Sequence, residues 1–236
     1  NDLRDRLEFL FNFKPALIQA SKEAEEDLTI KMPIGKRIFD IVFASTILIC
    51  LGPILLGIAL AIRLGSKGPV IYRSKRIGRG YQEFDFLKFR SMCNDADAKR
   101  KEVAHLNNYD GAFLKVKNDP RVTKIGYWIR KTSIDELPQL INVLKGDMSV
   151  IGPRPHRVSL QDYLRTSVND YMVRSYVKPG ITGWAQVNGW RGPTDTNEQK
   201  NERINHDLWY IENWSFMLDL KIIFLTLFGG HRKKAF

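Results

Sequence analysis

Cysteine is scarce in this sequence of 236 residues and occurs only at Cys50 and Cys93. Cys50 lies inside an apolar run, which argues against a disulfide framework and favours a reducing, cytoplasmic setting. Paired cysteines at the spacing of a structural zinc site are also missing. The fold must therefore rest on an apolar core, and a chain of this length is long enough to build one.

Several catalytic motifs are absent as well. No Walker loop is present, and Gly78-x-Gly80 is too short to be a nucleotide-binding fingerprint. No His-Glu-x-x-His metal motif occurs, because the histidines are scattered along the chain at His105, His156, His206 and His231. The chemistry of this protein has to come from other residues.

The composition is strongly basic. There are 37 lysines and arginines against 26 acidic residues, which gives a net charge of +11. This balance predicts an anionic partner, either nucleic acid or a membrane surface with phosphorylated ligands. The sequence has no initiator methionine and no signal-peptide cleavage pattern, and we expect it to be the C-terminal part of a longer protein.

The longest apolar run extends from Ile38 to Ile62 and is interrupted by Asp40 and by Gly52-Pro53. As a straight helix at about 1.5 Å per residue it could cross a bilayer core of about 30 Å. However, a proline inside a helix bends it, and cationic residues flank both ends of the run, which favours a cytoplasmic position for both flanks. Two interpretations remain open: a spanning helix, and a helix-break-helix that enters and leaves through one membrane face.

Two adjacent carboxylates, Asp135 and Glu136, open a segment with the apolar spacing of a helix that Lys145 and Gly146 would end. One interpretation is helix capping. Pro138 suits the first turn, which would make Asp135 the N-cap. Alternatively, Ser133 and Glu136 would form a capping box.

The second interpretation is chemical. Arg130 precedes the two carboxylates, and Arg154 follows between two prolines. Carboxylates surrounded by fixed cations suit an anionic, phosphorylated substrate with a divalent ion. A carboxylate can also act as a nucleophile toward phosphorus.

Short strands are predicted at 70–72 and 84–89. Alternation in the second places Lys88 on one face with Phe84 and Phe86. A lysine on a mostly apolar face is costly unless it meets an anion, although a surface lysine with its stem on apolar neighbours is an alternative. Towards the C-terminus, amphipathic or polar helices are predicted at 156–176 and 197–213. An interfacial helix is predicted at 214–228, followed by a cationic tail at 231–234 that would bind anionic lipid.

Five blocks of the sequence carry the motifs of one known protein family. They are Lys-Arg-Ile-Phe-Asp (36–40), Phe-Leu-Lys-Phe-Arg-Ser-Met (86–92), Ser-Ile-Asp-Glu-Leu-Pro-Gln-Leu-Ile-Asn-Val-Leu-Lys-Gly-Asp-Met-Ser-Val-Ile-Gly-Pro-Arg-Pro (133–155), Lys-Pro-Gly-Ile-Thr-Gly-Trp-Ala-Gln-Val-Asn-Gly (178–189) and Trp-Ser-Phe-Met-Leu-Asp-Leu-Lys (214–221). Together they resemble the bacterial sugar transferase family, the monotopic polyprenyl-phosphate phosphoglycosyl transferases. The block at 187–196 is similar to members that transfer glucose 1-phosphate.

The resemblance implies an α+β fold. Its parts would be a membrane-inserted, re-entrant helix-break-helix, a small, mostly helical cytosolic catalytic domain, and interfacial amphipathic helices. The expected division is an N-terminal arm or linker at 1–33, the re-entrant helix at 34–68 with its break at Gly52 and Pro53, and the catalytic domain at 69–236. The expected location is the bacterial inner membrane, with the catalytic domain on the cytoplasmic face.

The resemblance also implies a reaction. The nucleophile would attack the β-phosphate of a UDP-sugar, and UMP would leave. Polyprenyl (undecaprenyl) phosphate from the bilayer would then accept the hexose 1-phosphate, which we expect to be that of glucose. This is the first membrane step of exopolysaccharide, capsule or O-antigen assembly. A homo-oligomer is also compatible with the sequence.

By the same resemblance, each site residue has a role. Asp135 is the nucleophile, and Glu136 is a catalytic partner that would hold Mg²⁺. The phosphate-binding residues would be Lys88, Arg130, Arg154 and Asp219, although Asp219 is equally well interpreted as a solvated helix carboxylate.

Three other functions stay open. A membrane-attached glycosyltransferase would release UDP, and its Asp-Glu pair would only bind metal. A basic nucleic-acid-binding module suits the charge but not the apolar run at 38–62, so nucleic acid is not expected as a partner. A lipid-docked scaffold would show no turnover.

Overall fold

The computed structural model describes residues 29–96, 98–100, 103, 105, 116, 119–158, 171–191 and 196–229. Within them the chain combines helices with two small sheets, in agreement with the expected α+β class. The helices and strands, in chain order, are α1 (Ile34–Gly65), β1 (Ile71–Ile77), β2 (Glu83–Phe89), α2 (Lys124–Lys131), α3 (Gln139–Lys145), β3 (Ser149–Ile151), β4 (Gly180–Thr182), α4 (Trp184–Val187), α5 (Asn197–Glu212) and α6 (Phe216–Phe228). Short 3-10 turns lie at Arg79–Tyr81, Ala98–Arg100, Ile134–Glu136 and Tyr171–Tyr176.

Helix α1 has 32 residues and is long and apolar enough to cross a membrane. It runs without interruption through Gly52 and Pro53, where the sequence predicted a break. A proline removes one backbone hydrogen bond of a helix but leaves the bonds on either side in place. The structure therefore contains one helix where two were expected, and re-entry into the membrane stays a prediction.

The first sheet is an antiparallel hairpin of β1 and β2, in which Ile71 pairs with Phe89 and Ile77 pairs with Glu83. Both predicted strands are confirmed, and β1 continues through the basic residues up to Ile77. The turn between them contains Gly80 at φ 62, a left-handed conformation that glycine adopts at little cost. The second sheet, parallel β3 and β4, was not predicted.

Two apolar clusters each use a different part of α1. In the first, Ala44 from the N-terminal half is fully buried against residues of α3, β3 and α6. In the second, Ile58 and Ile62 from the C-terminal half pack with Phe89 of β2 and Ile129 of α2. Both halves of α1 therefore rest on the body that also holds α2, α3 and the two sheets.

The remaining surface of α1 and much of α6 stay apolar and exposed. The two helices meet where the edge of Phe39 contacts Phe216, with ring centroids 5.3 Å apart. Exposed apolar areas of this extent mark an interaction surface. The exposed side chains include Ile34, Ile38, Val42, Ile49, Ile54, Leu56, Leu60 and Leu64 on α1, and Phe216, Met217, Phe224, Leu227 and Phe228 on α6.

The C-terminal helices confirm the predictions for 197–213 and 214–228, as α5 and α6. Of the segment 156–176, the described part ends in the 3-10 turn Tyr171–Tyr176, and 159–170 lies outside the described residues. The cationic tail at 231–234 and all but the last residues of the arm at 1–33 also lie outside them.

Candidate active site

Asp135 and Glu136 lie in a 3-10 turn between α2 and α3. The residue before this turn, Ser133, has φ 60, a left-handed conformation that costs a serine on the order of 1 kcal/mol. Ser133 makes no capping hydrogen bond through its side chain, and the N-cap position of α3 is Pro138 and not Asp135. Both capping interpretations are therefore wrong, because the chain forms a tight turn here and α3 begins only after Pro138. The two carboxylates remain available for other roles.

Glu136 is held by cations on both of its oxygens. Its Oε1 accepts hydrogen bonds from Lys88 Nζ at 2.8 Å and from an Arg154 nitrogen at 2.5 Å, and its Oε2 accepts one from the other Arg154 nitrogen at 3.1 Å. Arg191 lies 3.9 Å from Oε2. Burial alone would raise the pKa of Glu136, but Arg154 and Lys88 outweigh it and hold the pKa well below the usual 4.5. Glu136 is thus a carboxylate that is ionised at neutral pH and has cationic partners on both oxygens.

Asp135 is a different kind of carboxylate. It is 7% exposed, and its nearest cation is Lys88 Nζ at 3.9 Å from Oδ2, beyond hydrogen-bond range. Burial raises the pKa of Asp135 above its usual 3.8, Lys88 opposes this rise, and the neighbouring Glu136 adds to it. Its oxygens are therefore desolvated, close to positive charge and free of short contacts with the described cations. These are the properties of a nucleophile whose lone pairs are available.

Strand β2 brings Lys88 to the two carboxylates. Lys88 lies over the Phe86 ring at 5.4 Å, which confirms that these two side chains share a face. The strand is tied to α3 by the buried Asn142, whose side chain accepts from the Leu87 amide at 3.1 Å and donates to the Asp85 carbonyl at 2.7 Å. A substitution of Asn142 would therefore disturb the position of Lys88.

A layer of buried polar residues behind the site holds the loop that contains Arg154. Arg174 donates to the Arg154 carbonyl at 2.8 Å and to the Asp207 carboxylate at 2.6 Å. The Nδ1 atom of His156 lies 2.8 Å from the Tyr171 hydroxyl and 2.9 Å from Arg174. Burial and then the charge of Arg174 keep the pKa of His156 well below 6.5, so this histidine is neutral. The layer fixes the backbone from which Arg154 reaches Glu136.

Sequence reasoning did not assign Ser133, Arg174 or Arg191 to this arrangement. Arg191 donates to the Ser133 hydroxyl at 3.0 Å in addition to its approach to Glu136. The position of Arg191 in the 187–196 block was the only signal available. Nothing in the sequence pairs Arg174 with Asp207, which lies on another helix.

The remaining predicted site residues divide into two groups. Burial raises the pKa of Asp135, and Arg130 lies close enough for its charge to oppose that rise, to a smaller extent than Lys88 does. Asp219 belongs to a separate cluster. It is fully buried and accepts hydrogen bonds from Lys36 at 2.7 Å, Tyr210 at 2.8 Å and Trp214 at 3.1 Å. The solvated carboxylate is therefore ruled out, while substrate binding by Asp219 stays an untested prediction.

Whether a metal ion could bind here depends on the side chains that could act as its ligands. Within the described part of the chain, no group of three or more His, Cys, Asp or Glu side chains could hold a metal ion. Mg²⁺ often takes only one or two protein carboxylates and completes its shell with water and substrate phosphates. Asp135 and Glu136 fit that restricted mode, provided that Glu136 exchanges a contact with Lys88 or Arg154 for the ion.

The arrangement is suited to bind a diphosphate ester, which carries two negative charges. Lys88, Arg154, Arg191 and Arg130 surround two carboxylates, so the site is positive overall. Fixed cations of this kind stabilise charge that develops on transferring phosphoryl groups. The desolvated carboxylate of Asp135 lies among them.

Comparisons with known proteins agree with this chemistry. A UDP-glucose:undecaprenyl-phosphate glucose-1-phosphate transferase of Klebsiella pneumoniae is 52% identical over 202 residues, 86% of this chain and 41% of that protein. A protein of the same name from Caulobacter vibrioides is 42% identical over 198 residues, 84% of this chain and 70% of that protein. A UDP-N-acetylgalactosamine-undecaprenyl-phosphate N-acetylgalactosaminephosphotransferase of Aeromonas hydrophila is 42% identical over 193 residues, 81% of this chain and 42% of that protein.

This chain therefore spans about two fifths of the length of the Klebsiella and Aeromonas relatives. The model that describes the family of bacterial sugar transferases matches residues 31–233, which is most of the chain. The match includes the 3-10 turn with Asp135 and Glu136, strand β2 with Lys88, and the loop with Arg154. The chain belongs to the bacterial sugar transferase family.

Proposed function

We propose that this chain transfers a hexose 1-phosphate, that of glucose, from a UDP-sugar to undecaprenyl phosphate. The observation that carries the proposal is the contrast between the two adjacent carboxylates. Glu136 is locked between Lys88 and Arg154, whereas Asp135 is buried beside the same lysine without a short contact to it. The names of the Klebsiella and Caulobacter relatives support glucose as the sugar.

The reaction would proceed in two displacements. An Asp135 oxygen attacks the phosphorus that bears the sugar, the bond from that phosphorus to the bridging oxygen breaks, and UMP leaves with the bonding electron pair. The polyprenyl phosphate then attacks the same phosphorus, which releases the Asp135 carboxylate and forms a polyprenyl diphosphate sugar. Lys88, Arg154 and Arg191 are positioned to bind the phosphate oxygens and to stabilise the charge of the transition state.

Mg²⁺ remains part of the proposal. Glu136 would hold it together with diphosphate oxygens of the substrate. When bound, the ion would neutralise diphosphate charge and so make UMP a better leaving group.

The acceptor is a lipid, and we propose that α1 enters and leaves the membrane through one face. Support comes from the packing of both halves of α1 on one body. Asp40 accepts from the Ser149 hydroxyl and the Val150 amide near one end. At the other end, Arg90 donates to the Ser66 carbonyl at 2.7 Å. A helix that crossed the bilayer would separate these ends by about 30 Å on opposite faces. We infer a place at the bacterial inner membrane, with the site on the cytoplasmic face.

The test is the donor half-reaction. Purified protein is mixed with UDP-glucose in the absence of lipid acceptor, and nucleotide release and intact-protein mass are measured together. We expect a stoichiometric burst of UMP and a hexose-phosphate adduct on Asp135. Asp135→Asn should give neither, whereas Asp85→Asn, which removes an exposed carboxylate paired with Lys75, should behave like the wild type.

Other outcomes separate the alternatives. Release of UDP instead of UMP would indicate an ordinary glycosyltransferase. A burst with UDP-N-acetylgalactosamine but not with UDP-glucose would keep the mechanism and replace the sugar, as the Aeromonas relative's name suggests. An unmodified Asp135 during sustained turnover would rule out the covalent route.

A further inference from the structure

A cavity of about 250 Å³ lies at the N-terminal base of α1. Its lining includes residues of α1, of the 3-10 turn Arg79–Tyr81, of β3 and of the segment that precedes β4. None of Lys88, Asp135, Glu136, Arg154 and Arg191 lines it. The cavity is therefore a site apart from the catalytic cluster.

Cations dominate the polar part of this lining. Arg37, Arg79 and Lys178 line the cavity together with one carboxylate, Asp40, which accepts hydrogen bonds from the Ser149 hydroxyl and the Val150 amide. Lys36, also in the lining, is paired with Asp219. The cavity therefore has an excess of positive charge, which an anion would compensate.

The three cations converge. Lys178 Nζ and an Arg37 nitrogen both approach Gly146, where an added methyl group would lie 3.5 and 3.6 Å from them. Burial, followed by the charges of Arg37 and Arg79, lowers the pKa of Lys178, as expected when like charges crowd a half-buried lysine. Arg37 donates hydrogen bonds to the carbonyls of Val143 and Leu144. A guanidinium has five N–H groups, so three more can donate to a ligand.

The rest of the lining is apolar and leads to the exposed face of α1. Ile30, Met32 and Ile34 form one edge of the cavity. Ile34 is 80% exposed and Ile38, one turn further along α1, is 58% exposed. An occupant with an anionic head and an apolar tail would match both parts at once.

We propose that this cavity binds the phosphate headgroup of an anionic glycerophospholipid, whose acyl chains lie along the N-terminal part of α1. The cavity is smaller than the roughly 300–1,000 Å³ of typical small-molecule pockets, which suits a headgroup better than a nucleotide sugar. Because the catalytic residues lie elsewhere, this lipid is a fixed ligand that anchors the base of α1 and is not the acceptor substrate.

The test compares lipid binding by the full chain and a matched pair of double variants. Protein in a neutral detergent is titrated with phosphatidylglycerol or phosphatidylcholine of the same acyl chains, and bound lipid is counted by native mass spectrometry. The cavity variant is Arg79→Gln with Lys178→Gln. The control is Arg73→Gln with Lys124→Gln, which removes two exposed cations outside the cavity.

We expect the wild type and the control to retain one phosphatidylglycerol per chain in preference to phosphatidylcholine. The cavity variant should bind it on the order of 30-fold more weakly, since each Lys or Arg near anionic lipid contributes about 1 kcal/mol, which is about fivefold. The cavity variant should keep its melting temperature and its UMP burst from UDP-glucose, because the donor half-reaction needs no lipid.

Three results would overturn the proposal. The first is equal binding of phosphatidylglycerol by the wild type and the cavity variant. The second is displacement of the lipid by an equal concentration of glycerol 1-phosphate, which would identify a site for free phosphate compounds. The third is loss of the UMP burst in a folded cavity variant, which would assign the cavity to the catalytic site. Loss of the burst in the wild type would instead contradict the proposed function and leave the lipid result standing.

Discussion

The guanidinium of Arg154 and the carboxylate of Glu136 form a two-pronged ion pair, with N–O distances of 2.5 and 3.1 Å. Planar bidentate pairs of this kind restrict the orientation of both partners. Because Glu136 is adjacent to Asp135 in the same turn, the pair also fixes the position of Asp135. The ion pair of Glu136 with Arg154 thus holds the neighbouring Asp135 in place.

The two carboxylates should respond oppositely to neutralisation. Asp135→Asn removes a charge that burial disfavours, so we expect a melting temperature a few degrees above that of the wild type and loss of the UMP burst. Glu136→Gln leaves Lys88 and Arg154 without their anion, which should cost about 2 kcal/mol and lower the melting temperature by several degrees. Thermal unfolding in detergent would measure both. An equal loss of stability in the two variants would contradict the assignment of roles.

The rate of UMP release should fall at acidic pH as Asp135 becomes protonated. The pKa of Asp135 is raised by burial and held down in part by Lys88, so the fall should begin above the usual pKa of an aspartate. Lys88→Gln removes the opposing cation, which raises the pKa further and should move the fall to higher pH, in addition to slowing the reaction. Lys75→Gln, on the neighbouring strand, is the matched control. An unchanged pH profile in Lys88→Gln would show that Asp135 does not limit the rate.

Asp219 should act on stability and not on substrate affinity. It is fully buried with Lys36, which is 5% exposed, and loss of one partner from such a pair costs about 3–5 kcal/mol. We expect Asp219→Asn to unfold at a much lower temperature, with little change in the KM for the UDP-sugar at temperatures where it is folded. Replacing both partners, as in Lys36→Met with Asp219→Leu, should recover part of the stability. A large rise in KM without loss of stability would favour direct substrate binding.

The two ends of α1 should be accessible from the same side of the membrane. Lys31→Cys and Lys67→Cys, each in a chain without Cys50 and Cys93, replace exposed residues just before and just after the helix. A membrane-impermeant maleimide should label both in inside-out vesicles and neither in right-side-out vesicles. Labelling of the two positions from opposite sides would establish a spanning helix. Pro53→Ala in the same background should show whether Pro53 is needed for this topology.

Local patterns were sufficient for much of the fold. The apolar run, the helix stop at Gly146 and the two C-terminal helices follow from periodicity and end signals, because these depend on neighbours a few residues away. Gly146 indeed has φ 97 at the end of α3. The family motifs likewise identified Asp135, Glu136, Lys88 and Arg154, although the geometry of their contacts was not accessible.

By itself, then, the sequence determined the secondary structure of its strongly periodic segments, the long apolar helix and the residue types of its candidate site. Only the tertiary structure decided which residue partners which. It paired Glu136 with Arg154 and left Asp135 at the longer distance of 3.9 Å from Lys88. It also buried Asp219 against Lys36 near the N-terminal end of α1, and it placed Arg174 of the 3-10 turn Tyr171–Tyr176 beside Asp207 of α5. The reason is physical: the pairing of a buried charge is set by groups far away in the chain that share its low-dielectric surroundings, and no local pattern encodes such a contact.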